Sequence, residues 1–340
     1  MSKFEEVLTI KNGRNQKKVE NPNGQYPIYG SGGIMGYADN YICEASTVVI
    51  GRKGSINNPI YVEQPFWNVD TAFGLVANTA KLFPKYLFYF CKNYDFEKLN
   101  TTVTIPSLTK ANLFKVEIPL PPLPTQQKIA AVLDKVNDLI TERKRQIEQL
   151  DLLVKARFTE MFGDPVSNPM GWEISLLGQI SNLKSGKNVI AKDIHEQNEK
   201  YLYPCYGGNG IRGYVDKFTH NGNYSLIGRQ GALCGNVQYV SGKFYPTEHA
   251  VVVNPTVEFN SLWLFYVLTY LRLNRLQTGA AQPGLNIDIL NNVNIPFAPL
   301  PLQIKFAEFV QGVDKVKGEV KAGLGKMQVL YNALMQEYFN

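Results

Sequence analysis

Cysteine and histidine are scarce in this chain, with four and three among 340 residues. Cys43, Cys91, Cys205 and Cys234 form no C-x-x-C pair, which excludes a zinc ribbon and a dithiol redox motif. Without a disulfide framework, reduced thiols in a cytoplasmic protein are expected. His195, His220 and His249 show neither H-x-x-x-H nor H-E-x-x-H spacing, so the sequence indicates no metal site. Long apolar runs are missing too. The longest, Leu262–Leu271, falls far short of the ~20 residues that span a bilayer, so no membrane partner is expected. The opening stretch MSKFEEVLTIKNGRNQKK carries no apolar core of a secretory signal.

Catalytic signatures are equally thin. Tyr29-Gly30-Ser31-Gly32-Gly33 and Tyr206-Gly207-Gly208-Asn209-Gly210 are glycine-rich. Neither fits G-x-G-x-x-G after a strand with an acidic residue downstream, so neither reads as a dinucleotide site. No Walker A loop and no G-x-S-x-G elbow occurs. The Asn/Asp-Pro-Pro-Tyr/Phe tetrad of aminomethyltransferases is also absent, since Pro121-Pro122 is followed by Leu123. Asp193, Glu196 and Glu199 read as a solvated face. The chain is expected to be no enzyme and to hold no cofactor.

What is present is ample material for cores. Hydrophobic residues make up 44% and charged residues 19% of the 38.3 kDa chain, which excludes a disordered protein and suggests two domains. A net charge of +6 and a pI near 8.9 lean toward an anionic partner.

The chain repeats itself. Tyr26-Pro27-Ile28-Tyr29-Gly30 returns as Tyr203-Pro204-Cys205-Tyr206-Gly207, an offset of 177 residues. The same offset pairs Gly33-Ile34-Met35-Gly36-Tyr37 with Gly210-Ile211-Arg212-Gly213-Tyr214, and Ile50-Gly51-Arg52-Lys53-Gly54 with Ile227-Gly228-Arg229-Gln230-Gly231. It pairs Pro106-Ser107-Leu108 with Pro283-Gly284-Leu285, and Pro122-Leu123-Pro124 with Pro299-Leu300-Pro301. Glu160 and Phe162 fall on Glu337 and Phe339. Near the start, Lys11-Asn12-Gly13-Arg14-Asn15 matches Lys184-Ser185-Gly186-Lys187-Asn188 at offset 173. A period this long is a domain duplication, not a solenoid.

Each copy changes character part-way. The first part, about residues 1–120 in the first copy, is rich in Gly, Tyr, Pro, Asn and Val, with strand-like runs such as Thr47–Ile50 and Ala250–Val253 between turns. Lys85–Asn93 and Leu262–Leu273 read as buried helices. The fold class expected is mixed α/β (α+β). After the proline cluster 119–124, Gln126–Phe162 contains no proline, and its apolar residues recur at threes and fours. Leu133, Ile140, Ile147, Val154 and Met161 form one seam, and Ile129, Val136 and Leu150 another that Arg143 and Arg157 interrupt. The second copy offers Val310, Leu324, Tyr331 and Tyr338, with Lys317 as a polar exception, and Phe306, Val313, Val320, Met327 and Leu334. This is a coiled-coil pattern. At ~1.5 Å per residue such a helix is a rod of ~55 Å. Each rod either packs back on its own globule or pairs with its repeat, and seams of equal length favour pairing. The breaker-rich segment Gly163–Gly171 separates the copies.

Candidate binding residues lie in the repeated loops. Arg52, Lys53 and Ser55, and Arg229 and Gln230, sit among glycines after β-like runs. Glycine lets a backbone approach a partner closely. Arginine can fork onto guanine, glutamine onto adenine, and either can reach phosphate. The alternative is a surface hairpin with incidental charge. Recurrence of the arginine while its neighbour changes from Lys53 to Gln230 favours a reader on a constant scaffold. Lys11, Arg14, Lys184 and Lys187 suit phosphate contact or a plain turn. Thr102, Thr104 and Gln282 suit DNA contact or loop capping. Tyr29, Tyr37, Tyr206 and Tyr214 suit sugar-phosphate contact or core packing.

These features together resemble the specificity (S) subunit of type I restriction-modification systems. The residues that carry the resemblance are the repeated Ile-Gly-Arg-x-Gly loop, Pro-x-Leu before Ile118-Pro119 and Ile295-Pro296, Pro122-Leu123-Pro124-Thr125-Gln126 with Pro299-Leu300-Pro301-Leu302-Gln303, the long helices, and Met161-Phe162-Gly163-Asp164-Pro165 leading to Gly171-Trp172. The resemblance implies two target recognition domains, residues 1–124 and 164–301, each reading one half of a bipartite site in double-stranded DNA. It also implies long helices over 125–163 and 302–340 that form an antiparallel coiled coil with pseudo-twofold symmetry. That coil would set the gap and dock two methyltransferase (M) subunits. S-adenosylmethionine would sit on those subunits, and ATP and Mg on restriction (R) subunits where present. The first copy lacks a counterpart of Gly171-Trp172-Glu173-Ile174, so its first strand is expected to be truncated or differently built. Competing expectations are a type IIB-like specificity subunit, told apart by its neighbouring genes; a stand-alone DNA-binding regulator, which would bind its site without partners; a methyltransferase, which would bind S-adenosylmethionine itself; and a tandem glycan-binding protein, disfavoured by the absent signal.

Overall fold

The computed structural model describes residues 1–100, 105–231, 233–278 and 284–339. The chain divides into two units, Met1–Arg145 with Lys321–Asn340, and Gln146–Val320.

The first unit contains β1 (Ser2–Lys3), α1 (Phe4–Val7), β2 (Leu8–Asn12), β3 (Tyr26–Gly30), β4 (Gly33–Ala38), β5 (Thr47–Gly51), β6 (Ile60–Val62), β7 (Trp67–Asn68), β8 (Ala72–Ala77), α2 (Pro84–Asn93), α3 (Lys110–Phe114), β9 (Glu117–Ile118) and the start of α4 (Leu123–Phe162). A four-stranded sheet runs in the order β2-β8-β5-β6, and a three-stranded sheet in the order β4-β3-β7. β5 is buried throughout, because its β-branched residues serve both faces. Val48 and Ile50 join the large core with Tyr86, Leu87 and Phe90 of α2, and Val49 turns to a smaller cluster with Val62, Phe66 and Ala72. β1 pairs with β9 over two residues.

The second unit contains the end of α4, then β10 (Ile174–Leu176), α5 (Leu177–Ile180), β11 (Ser181–Ser185), β12 (Tyr203–Gly207), β13 (Gly210–Val215), β14 (His220–Gly228), β15 (Val237–Pro246), β16 (Ala250–Pro255), α6 (Ser261–Tyr270), α7 (Ile287–Asn291), β17 (Asn294–Pro296) and the start of α8 (Leu300–Phe339). Here one six-stranded sheet runs in the order β11-β16-β14-β15-β12-β13. The ten-residue β15 pairs with β14 on one side and, in parallel, with β12 on the other. Its counterpart in the first unit is split into β6 and β7. Pro65 stands there where the second copy has Gly242, and a proline has no N–H to give a sheet ladder. The first strand of the second copy, β10, pairs with β17 over three residues. Its two-residue counterpart β1 is therefore shorter but present.

Both long helices begin with a Leu-Pro step, Leu123-Pro124 and Leu300-Pro301. Proline is tolerated in a first turn because its missing N–H would have no partner there. In the first unit Ile129, Ala130 and Leu133 of α4 share the core with Met335 and Phe339 of α8, and Phe339 lies 5.1 Å from Tyr86 and 6.0 Å from Phe90 between ring centroids. In the second unit Phe158 and Phe162 each lie 5.5 Å from Phe306, Arg157 covers Phe309, and Asp151 pairs with Lys317. Residue numbers fall on one helix as they rise on the other, so these segments pack antiparallel. They also pack on their own globule. Of the expected seam residues, Leu133, Val136, Ile140, Val154, Val310 and Val313 are buried, while Ile147, Leu150, Leu324, Met327, Tyr331 and Leu334 are half-buried. Toward the C-terminal end of each helix the buried stripe moves one position off the heptad, to Phe158, Met335 and Phe339. A straight helix of 3.6 residues per turn drifts ~20° per heptad relative to a 3.5 repeat.

Two buried glutamines fasten these helices. Gln126 accepts from Phe83 N–H at 2.8 Å and donates to the carbonyls of Lys81 (2.9 Å) and Pro121 (2.8 Å). Gln303 accepts from Asn260 N–H at 2.8 Å and donates to the Ala298 carbonyl at 2.7 Å. Phe83 and Asn260 are the caps of α2 and α6, so each glutamine joins the start of a long helix to the start of a core helix. All four cysteines are buried free thiols. Burial pushes the Cys43 thiol up to about 11 and raises those of Cys91, Cys205 and Cys234. No helix among the described residues is long and apolar enough to cross a membrane.

Candidate nucleic-acid interface

The separate sequence motifs meet at one surface in each unit. In the first, the loop after β5 is held by main-chain bonds on both sides. Arg52 N–H donates to Thr71 O at 2.8 Å, Leu108 N–H to Arg52 O at 2.9 Å, and Gly54 N–H to Pro106 O at 3.0 Å. The Ile-Gly-Arg-x-Gly and Pro-x-Leu repeats are thus neighbours. The β3–β4 hairpin closes over the loop, since a Cβ on Gly51 would stand 2.3 Å from Ser55 O and 3.1 Å from Cβ of Ser31. Arg52, Lys53 and Ser55 are exposed. The Arg52 guanidinium lies 5.8 Å from the Phe73 ring centre and touches Asp70 O at 3.5 Å.

The turn after β2 supports the same surface. Arg14 N–H donates to Asn68 O at 2.8 Å, and Arg14 O accepts from Trp67 Nε1 at 2.9 Å. A Cβ on Gly13 would fall 1.7 Å from Val69 O, so only glycine fits. The backbone is fixed while the Arg14 side chain is exposed. Lys11 differs, because its ammonium donates to Ile42 O at 2.9 Å inside the unit.

The second unit repeats the frame with other side chains. Leu285 N–H donates to Arg229 O at 2.9 Å, Arg229 N–H to His249 O at 3.1 Å, and Gly228 N–H to Asn236 O at 2.9 Å. Gly228 lies under the β12–β13 turn, where a Cβ would stand 2.1 Å from Gly208 O. Gly186 repeats the role of Gly13, 2.0 Å from Pro246 O by the same measure, which supports the 173-residue offset. Lys184, Lys187 and Gln230 are exposed. Arg229 is not equivalent to Arg52. It is half-buried, its Nη1 donates to Ser185 Oγ at 2.9 Å, and its buried Nε has no partner among the described residues. Thr102, Thr104 and Gln282 lie outside the described residues.

Side chains the sequence reading passed over line this surface. Gly207–Arg212, Gln230, Gly231 and His249 border an open cleft of about 450 Å³. His249 Nε2 lies 3.2 Å from Glu248 Oε1. The signal for Arg212 was present: it is the odd residue in the otherwise constant Gly-Ile-x-Gly-Tyr repeat, opposite Met35. Tyr29 and Tyr206 pack inward, edge-on to Phe66 and Phe244, whereas Tyr37 is exposed. Among the described residues, no three His, Cys, Asp or Glu side chains cluster to hold a metal.

The sequence matches the family model for the type I restriction modification DNA specificity domain over residues 1–150 and 169–325. It is 34% identical over 307 residues to the specificity subunit of the type I restriction enzyme EcoprrI of Escherichia coli, across 84% of this chain and 73% of that protein. It is 27% identical over 305 residues to the MjaIX specificity subunit of Methanocaldococcus jannaschii, across 78% and 69%. The fold is similar to that of the type I restriction-modification S subunit from M. genitalium, with a TM-score of 0.72 at 20% identity over 99% of this chain and 95% of that one.

Proposed function

The chain belongs to the type I restriction-modification DNA specificity family, and from that premise we propose that each unit reads one half of a bipartite site in double-stranded DNA. The observation that carries this is the convergence of three repeated motifs into one surface per unit, with a constant main-chain frame and different side chains on it. A constant frame fixes how the backbone meets DNA, and changed side chains change the base read. Arg52 and Lys53 serve the first half-site and Gln230 the second. Arg14, Lys184 and Lys187 serve phosphates.

The chain supplies specificity and no catalytic group. Two M subunits dock on α4 and α8, whose length sets the gap, and bring S-adenosylmethionine for adenine methylation in the cytoplasm. R subunits, where present, bring ATP and Mg. With a net charge of only +6, the isolated chain neutralises few phosphates and binds DNA weakly, because affinity at physiological salt scales with phosphate contacts. The test is long-read mapping of adenine methylation in a host carrying or lacking this gene, with its methyltransferase partner present. A bipartite motif of fixed gap that disappears with the gene is expected. A methylation pattern indifferent to the gene would overturn the proposal.

A further inference from the structure

Resting on the specificity-subunit reading, we propose that the β-hairpin residue at position 35 of the first unit and 212 of the second reads a base. Met35 lies against the methyl edge of a thymine, and Arg212 forks onto a guanine. Both side chains are seated the same way. A Cβ on Gly207 would stand 2.7 Å from Cδ and 3.0 Å from Cγ of Arg212, and one on Gly30 would stand 2.5 Å from Sδ of Met35. Each glycine is therefore a slot that holds the stem of a long side chain across the strand and leaves its end free. Met35 is 61% exposed, and its neighbours Ile34 and Ile211 are 55% and 51% exposed. Arg212 is exposed, and its guanidinium has no hydrogen-bond or ion-pair partner among the described residues. It borders the cleft shared with Gln230 and His249.

Arg229 contrasts with it, being tied to Ser185. Of the two arginines at this surface in the second unit, the one on the hairpin is thus free, whereas in the first unit the loop arginine is exposed and the hairpin carries methionine. A stem fixed in a slot loses little rotamer freedom on binding. It also aims a planar fork at one place, as a bidentate contact to guanine O6 and N7 requires. An apolar end suits the thymine methyl group, the one apolar feature of the major groove.

The test is methylation of DNA libraries, randomised in each half-site, by the complex reconstituted with the M subunit. Arg212→Met uses a side chain the same slot accepts in the first unit, Arg212→Lys keeps the charge but loses the fork, and Met35→Arg is the reciprocal change. Both Arg212 variants are expected to lose roughly 10–100-fold of the preference for one G·C pair in one half-site, with the other half and the gap unchanged. Met35→Arg is expected to alter one position in the other half only. An unchanged motif with Arg212→Lys and Arg212→Met, alongside an altered one with Gln230→Ala, would overturn the hairpin assignment and leave the loop as reader. If removing the whole chain leaves methylation unchanged, the specificity-subunit reading itself fails.

Discussion

Replacing Gln126 by leucine isolates the device that fastens a long helix to its globule. Gln126 is fully buried, and its amide satisfies Phe83 N–H and the carbonyls of Lys81 and Pro121. Leucine has similar volume and no polar atom, so all three main-chain groups lose the partner that this buried side chain supplies. Each such loss costs ~1–3 kcal/mol, and three together, less the gain from burying an apolar side chain, give about 3–5 kcal/mol. Gln303→Leu orphans only Asn260 N–H and Ala298 O among the bonds it makes, so about 2–3 kcal/mol is expected. Peptide-resolved hydrogen exchange in increasing urea reads the two units separately. With a slope near ~3 kcal/mol per molar urea, the upper end for small proteins, the Gln126→Leu midpoint for α2 should fall by about 1–2 M. A loss below ~1 kcal/mol, or opening in β14–β16 in place of α2, would refute the reasoning.

Arg52→Ala is expected to degrade methylation at one half-site and spare the other, as the methylated motif will show. Gly228→Ala forces a Cβ to within 2.1 Å of Gly208 O; it should separate hairpin from loop and abolish reading of the second half-site in the same assay. Val136→Pro breaks the buried face of α4 at a cost of ~3 kcal/mol or more, so far-UV helicity and co-purification with the M subunit should both fall. His220 stacks on Phe244 with 5.4 Å between centroids, and burial, with Lys187 second, lowers its pKa. The unfolded chain therefore takes up that proton more readily than the folded one, so stability is complete above pH ~6.5 and declines as pH falls below it. Thermal unfolding of the second unit should show that acid sensitivity in the native protein and less of it in His220→Phe.

Much of this architecture was legible because duplication makes a sequence its own comparison. The two offsets, 177 and 173, correctly paired β2 with β11, β5 with β14 and the motif glycines Gly13 and Gly186. Their necessity became clear only against the carbonyls of Val69 and Pro246. The long helices were legible from periodicity, and their buried ends were misplaced by one residue because a heptad grid ignores the drift of a straight helix. The split of one sheet into two was not anticipated, although Pro65 was its visible cause. The loop arginines looked equivalent in sequence. What separates Arg52 from Arg229 is Ser185, a residue 44 positions away, and such distant partners leave no trace in local pattern. Met35 and Arg212 vary inside the repeat just as Lys53 and Gln230 do, and only their seating against Gly30 and Gly207 sets them apart.

The burial of all four cysteines has a practical side. A thiol reacts as its thiolate, and these four are both shielded and held in the protonated form. To a maleimide or an iodoacetamide the folded chain is close to blank. A cysteine introduced at an exposed hairpin position, Ile34 or Ile211, would stand as the single labelling site. A fluorophore or spin label there would watch one half of the molecule meet DNA while the native sulfur stays silent.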